Sequence, residues 1–424
     1  MSSSNSYVGG KIGAPPIDTG ISFIVGFYFS FRAFIMLLSV RLLGTDPQTG
    51  TEINLALNFL LLIVVAFYAL GAGDRTFRSM FKLPSIRWVL LFLVFSGCSL
   101  LWSSAASLIA AIAYWCAMAA DVAIVVLLLR AVLLAEFVHS LMKGYVLGAC
   151  AIALIAWLMP AQSDLRLGDD ELLGANQIGY LCGFAFFFAQ YLMTQKLGKW
   201  GGAAILLGVT LLRSLSKTTI IAFIVAEGFL LMRDKFMSRK TKLGMICVAV
   251  LITTVFSGLL TSYFDIYSNA GNSPETLTGR LGIWAVILDE AVEQPWVGHG
   301  FYSVWKVIPP FGSFEPRHAH NEIIQQFYLY GVTGVCIMAG LYGSFYLQVR
   351  RFAFGSQRTF YCAFLLFILI RGLADTEVYD LSLPLWAIVM FSLLLEHVRR
   401  ANCNPDIAIP SEQYELARMQ QAFH

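Results

Sequence analysis

Long apolar runs separated by short polar stretches recur along nearly the whole chain. About 20 apolar residues cross a hydrocarbon core of ~30 Å as a helix, and by that measure the pattern predicts about twelve spans. They run from Ile21 to Leu43, Ile53 to Gly73, Ile86 to Leu101, Ala105 to Leu129, Phe137 to Met159, Gln177 to Met193, Trp200 to Leu212, Thr218 to Met232, Leu243 to Tyr263, Glu322 to Val349, Thr359 to Ile370 and Leu381 to Val398. The fold class expected is all-α, a polytopic integral membrane protein with one large periplasmic loop. Its parts are a cytoplasmic N-terminal tail (1–20), transmembrane helices 1–9 (21–263), the periplasmic loop with an amphipathic helix (264–321), transmembrane helices 10–12 (322–398) and a cytoplasmic C-terminal tail (399–424).

Composition agrees with that pattern: 58% of the 424 residues are hydrophobic and only 13% charged, against roughly 25% charged in soluble domains. A formal net charge of +3 is too small for a nucleic-acid footprint, so the charges matter by position. The first twenty residues show no basic segment flanking a short apolar run and no small-residue cleavage site, so no removable signal peptide is expected. Seven of the 8 cysteines fall inside apolar runs and Cys403 in the tail, which makes a disulfide framework or zinc site unexpected.

Short cytoplasmic loops carry an excess of Lys and Arg. With the N-terminus inside, every second loop holds such a cluster: Arg75, Arg78, Lys82 and Arg87; Arg130 and Lys143; Lys196 and Lys199; Arg233 to Lys242; Arg350, Arg351 and Arg358; Arg399, Arg400 and Arg418. Both termini are thus expected on the cytoplasmic side of the membrane. The opposite side keeps Arg41, Arg166, Arg213, Lys217, Arg280, Lys306, Arg317 and Arg371, together with the acidic run Asp169 to Glu171. Cations there oppose the insertion bias, so a cluster of them reads as a site for an anion; salt bridges within the loops are the plainer alternative. For Arg32 and Asp121, inside apolar runs, a buried pair or a snorkelling side chain is expected.

The stretch from about Phe264 to Arg317 is far longer than an ordinary connection. Trp284, Leu288, Ala291 and Val292 recur there at helical spacing and predict an amphipathic helix on the membrane surface. The loop then delivers Arg317-His318-Ala319-His320-Asn321 to the mouth of the next span. Two histidines at i and i+2 share no helix face, and further metal ligands are not evident, so no metal is expected. His318 reads as a solvated residue at a helix start or as support. His320, directly before the span, is the better candidate for chemistry, because a neutral imidazole near pH 7 can take a proton from a hydroxyl.

These residues carry a resemblance. The string Thr278-Gly279-Arg280 to Trp284, then Gln294-Pro295-Trp296-Val297-Gly298-His299-Gly300-Phe301, Trp305, His318-Ala319-His320-Asn321-Glu322 and Tyr330-Gly331-Val332-Thr333-Gly334, resembles the signature of the O-antigen ligase and Wzy-type polysaccharide polymerase superfamily. Upstream, Gly174 to Gly179 and Ser216-Lys217-Thr218 are similar to that family's segments, and downstream so is Asp375-Thr376-Glu377. The likeness covers about Gly174 to Trp386 and looks most like exopolysaccharide polymerases.

The resemblance implies a periplasmic-face glycosyltransferase that moves a glycan from a polyprenyl (undecaprenyl) diphosphate carrier to an acceptor hydroxyl. The acceptor is another repeat unit in a polymerase, or lipid A core in an O-antigen ligase. The diphosphate linkage supplies the driving force, so the site needs cations for the leaving group and one base. On that reading His320 is the catalytic base; Arg280, Lys217 and Arg213 bind the diphosphate; His318, Arg317, Asn321, Trp284 and Arg371 give support. The reaction expected is inverting and independent of metal or cofactor. Expected partners are the lipid-linked donor, the glycan or lipid A core acceptor, membrane lipids, a flippase and a chain-length regulator, with no nucleic acid. Asp375, Glu377 and Asp380 are expected to position Arg371. A transporter or flippase of similar span number is the main rival, but transporters usually repeat their halves and no repeat is visible. Ser214-Leu215-Ser216-Lys217 fits S-x-x-K without the accompanying motifs, and no phosphate-binding glycine loop is present.

Overall fold

The computed structural model describes residues 19–71, 80–132, 134–160, 162, 165–169, 172–234, 238–259, 261–262, 277–308, 318–352, 355–376 and 381–403. The expected tails, apart from Thr19, Gly20 and 399–403, lie outside them, as do Asp170, Glu171, Arg317, Glu377 and Asp380. Every segment of regular structure among them is helical. In chain order these are α1 (Gly20–Arg41), α2 (Pro47–Leu70), α3 (Pro84–Ser99), α4 (Leu108–Ala131), α5 (Leu134–Leu158), α6 (Ala175–Thr194), α7 (Gly201–Arg213), α8 (Lys217–Arg233), α9 (Arg239–Val255), α10 (Leu277–Ala291), α11 (Val304–Val307), α12 (Glu322–Arg350), α13 (Ser356–Gly372) and α14 (Ser382–Cys403). Each predicted span coincides with one of these helices. Six of them, α1, α2, α4, α5, α12 and α14, are long and apolar enough to cross a membrane.

Helix ends follow local chemistry. Asp46 caps α2 by accepting from the Thr49 amide at 2.9 Å, with Pro47 in the first turn, where its missing N–H costs nothing. Asn321 caps α12 through the Ile323 and Ile324 amides.

Packing inside the bundle uses small residues and aromatic rings. On α5, Gly144 and Gly148 stand four apart, and a Cβ on Gly144 would lie 2.0 Å from the Phe23 carbonyl oxygen of α1. This close backbone approach is what small-xxx-small spacing permits between helices in lipid. Tyr145, Phe184, Phe188 and Phe391 surround Trp386 of α14 or pack against one another, and Leu385 to Phe391 are almost completely enclosed. Arg32 of α1 and Asp121 of α4 form the expected buried pair at 2.6 Å. Asp121 also accepts from Asn58 of α2 at 3.1 Å and Ser382 of α14 at 2.6 Å, so four helices share one neutralised charge.

Contacts between connections gather six of them at one end of the bundle. Arg41 pairs with Asp169 at 2.8 Å, the plainer salt-bridge reading of that cation. Ser104 N–H donates to His299, and Asn321 to Leu373. The amphipathic helix is α10, but its buried stripe differs from the expected one. Ile283, Ile287 and Ala291 face inward with Trp284 at their edge, while Leu288 and Val292 are exposed. The helix therefore packs on the bundle, beside α12, through one face and keeps a second apolar face outward.

Candidate functional site

Four segments from distant parts of the chain meet at the same end of the bundle. They are the turn entering α8, the first turns of α10, the His318–Asn321 segment before α12, and the turn after α13. Arg280 of α10 donates to the Ala374 carbonyl and, at 3.4 Å, to the Thr218 hydroxyl. It thereby joins the residue next to Lys217 to the residue next to Asp375. One turn along the same helix face, the Trp284 indole donates to the Ala319 carbonyl at 2.8 Å. Arg280 and the His318–His320 segment are thus held by one helix.

The His segment is fixed from both sides. Its Ala319 amide donates to Gln325 at 2.9 Å, and the Asn321 side chain donates to the Leu373 carbonyl at 2.9 Å while capping α12. Between these anchors His320 adopts φ 51°, the left-handed region. A non-glycine residue there costs of order 1–3 kcal/mol and persists only where its surroundings over-determine it. Leu215, two residues before Lys217, is held at φ 57° in the turn whose Ser216 hydroxyl donates to Asn176 at 2.9 Å.

The His320 ring contacts Asp375, with Nδ1 3.4 Å from Oδ1. The other carboxylate oxygen accepts from Arg371 at 3.2 Å, and the Arg371 guanidinium lies over the Tyr180 ring at 3.6 Å from its centroid. Burial alone would raise the Asp375 carboxyl. Arg371, then the His320 hydrogen bond and the two histidine charges, outweigh it and hold the group well below the usual carboxylate range. His318 packs edge-on against His320, ring centroids 4.1 Å apart. Burial, then the His320, Arg371 and Arg280 charges, push it down to about 3 against the pull of Asp375, so it is neutral at pH 7. Asn321, not His318, is the cap of α12.

Asp375 is the member that sequence reading undervalued. It does position Arg371, as expected, but it also faces His320. The available signal was an acidic residue four places after an outside arginine. Thr218 was legible only as part of Ser216-Lys217-Thr218, and Tyr180 carried no signal, because a ring in an apolar helix reads as core. Arg213 donates through one guanidinium nitrogen to the Leu165 carbonyl at 2.7 Å. Lys217 opens α8 and is half-buried beside Thr218. Arg317 falls outside the described residues.

The expectation that no third metal ligand is available needs correcting, since Asp375 brings His318, His320 and its own carboxylate within 4.8 Å of one another. That spacing admits a cation. The surroundings disfavour one, because Arg371 already occupies the second carboxylate oxygen and the same guanidiniums that suppress the His318 proton would repel a divalent ion.

Residues 202–339 match the Wzy_C family model, described as O-antigen ligase. The chain is 25% identical over 293 residues, 63% of its length, to the exopolysaccharide production protein ExoQ of Rhizobium meliloti (strain 1021). The match spans 66% of that relative. The resemblance read from the motifs is therefore borne out: the chain is similar to proteins of the O-antigen ligase and Wzy-type kind, and its described residues form an all-helical protein with six helices long and apolar enough to cross a membrane.

Proposed function

We propose that the protein is a metal-independent, inverting glycosyltransferase that polymerises polysaccharide repeat units, transferring a glycan from a polyprenyl diphosphate carrier to an acceptor hydroxyl. The observation that carries this reading is the His320–Asp375 contact placed beside Arg280 and the start of α8, a base next to a cation that bridges the α8 and α13 ends. The remaining topology belongs to the same proposal: twelve spans, the site facing the periplasm of a bacterial inner membrane, and the domain limits read from the sequence.

In the proposed reaction His320 takes the acceptor hydroxyl proton on Nε2. Its Nδ1 faces Asp375, which orients the ring and stabilises the imidazolium that forms. At 3.4 Å the contact is long for a hydrogen bond, and catalytic pairs of this kind tighten when substrate binds. The acceptor oxygen bonds to the anomeric carbon as the bond from that carbon to the diphosphate breaks, inverting configuration. Arg280 and Lys217 receive the charge on the departing diphosphate. Arg280 has a second qualification: its buried Nε has no hydrogen-bond partner among the described residues, a donor that an anionic oxygen would satisfy. Arg213, held by Leu165, acts only through its long-range field.

The family description favours a second acceptor, lipid A core, which would make the protein an O-antigen ligase. Purified wild type and His320→Ala, given a lipid-diphosphate repeat unit with and without lipid A core, separate the two. Lengthened lipid-linked chains from wild type alone, undiminished in EDTA, are expected. Product only with lipid A core would establish the ligase, and inactivity of wild type on both would leave the transporter reading.

A further inference from the structure

One cavity in the bundle lies at the end opposite His320. It is a groove of about 380 Å³ between the start of α3 and the ends of α12 and α14. α12 runs from the His320 end to Arg350 with a break at Gly331, and the stretch beyond the break alone is roughly 28 Å long, so the groove and the His320 site lie at opposite ends of that helix.

Glycine spacing on α12 makes the groove. Trp88 of α3 lies directly on Gly340, where a Cβ would be 2.6 Å from the ring, whereas a Cβ on Gly343 would meet nothing within 4 Å. Its floor is closed by polar groups that are already satisfied: Ser85 donates to Gln348 at 3.0 Å, and Gln348 to the Ser392 carbonyl at 2.6 Å. Its wall includes the exposed Leu347, and its rim carries Arg351, Glu396 and Arg399. Arg399 forms a fork onto Glu396, both bonds 2.8 Å, and Arg400 adds a third at 2.8 Å. One carboxylate thus faces two arginines, and Arg351 is exposed with no acidic partner among the described residues.

The geometry points to an anionic phospholipid seated in this groove, an acyl chain lying along Gly343 and Leu347 and the headgroup phosphate on Arg351 and Arg399. Among the described residues the groove's rim carries Arg351 and Arg399 against the one carboxylate of Glu396, and its depth is lined by Leu83, Trp88, Leu347 and Leu395, a basic rim over an apolar depth of the kind that holds anionic lipid. This is also the end that the Lys/Arg bias makes cytoplasmic, the leaflet where basic pockets between helices hold anionic headgroups. The inference stands apart from the transferase reading, since none of its residues touches the His320 site.

Native mass spectrometry of the full chain in detergent, titrated with phosphatidylglycerol or phosphatidylcholine, tests it. Wild type is expected to retain phosphatidylglycerol preferentially. Arg351→Gln and Arg399→Gln should each weaken that retention about fivefold without changing phosphatidylcholine. Gly343→Leu, whose Cβ would meet nothing within 4 Å, should displace the lipid while leaving both arginines in place and, by thermal unfolding, the fold intact. Equal retention of the two lipids by wild type overturns the proposal, and so does phosphatidylglycerol retention that survives in Gly343→Leu.

Discussion

His320 carries two burdens, a left-handed backbone at φ 51° and the proposed proton transfer, and substitution can separate them. Asn tolerates that backbone better than most residues but offers no base, so His320→Asn is expected to fold as wild type and to lose transfer, read by thermal unfolding beside the chain-lengthening assay. Asp375→Asn keeps the shape of the side chain and removes its charge from both His320 and Arg371; a loss of transfer of about a hundred- to ten-thousand-fold is expected. His318 governs stability instead. Its folded value of about 3 lies below the 6.5 of a free histidine, so the unfolded chain gains a proton that the folded one refuses as pH falls from 6.5 toward 3. Asp375, held low in the fold, loses its own stabilising contribution in the more acidic part of that range. His318→Gln should therefore flatten the fall in Tm between pH 6.5 and 5 while retaining the loss below about pH 4.

The element that places α10 over this site is a break in α12. Gly331 stands at φ 63° inside that helix, and residues 295–300 fill the gap: Val332 donates to the Pro295 carbonyl at 2.8 Å, while His299 and Gly300 donate to Tyr328 and Leu329 at 2.9 and 2.8 Å. The His299 ring stacks on Tyr328 at 4.5 Å. A Cβ on Gly331 would stand 2.4 Å from the Trp296 carbonyl carbon, and one on Gly298 equally close to Leu329. At φ 63° and ψ −161° Gly331 holds a conformation essentially reserved for glycine, so Gly331→Ala is expected to cost about 1–3 kcal/mol for the backbone alone, with further loss because the facing backbone cannot give way; a lowered Tm measures it. The motif Gly298-His299-Gly300 was legible as part of a family signature but not as a clamp, since its partners lie about thirty residues downstream and at Ser99 and Ser103. The same limit applies to α10, whose helical spacing was readable while its buried face was not: Leu288 and Ile287 are equally apolar, and only the position of α12 decides between them.

For the whole molecule, hydropathy marks the helices because hydrocarbon forces every backbone polar group to pair within its own segment. Convergence of Lys217, Arg280, His320 and Asp375 is a property of how the helices pack and is written in no single stretch. Which end faces the cytoplasm rests on charge, and the arrangement makes it measurable. Gln48 at the start of α2 is exposed at the His320 end, through the same set of connections that pairs Arg41 with Asp169. Ser238, between α8 and α9, is exposed among Arg233, Arg239 and Lys240, where the positive-inside bias is strongest. In a cysteine-free background, Gln48→Cys is expected to react with a membrane-impermeant maleimide in intact spheroplasts, and Ser238→Cys only after permeabilisation. The reverse pattern would put the His320 end in the cytoplasm, where nucleotide-sugar donors are available and a lipid diphosphate is no longer required as the source of driving force.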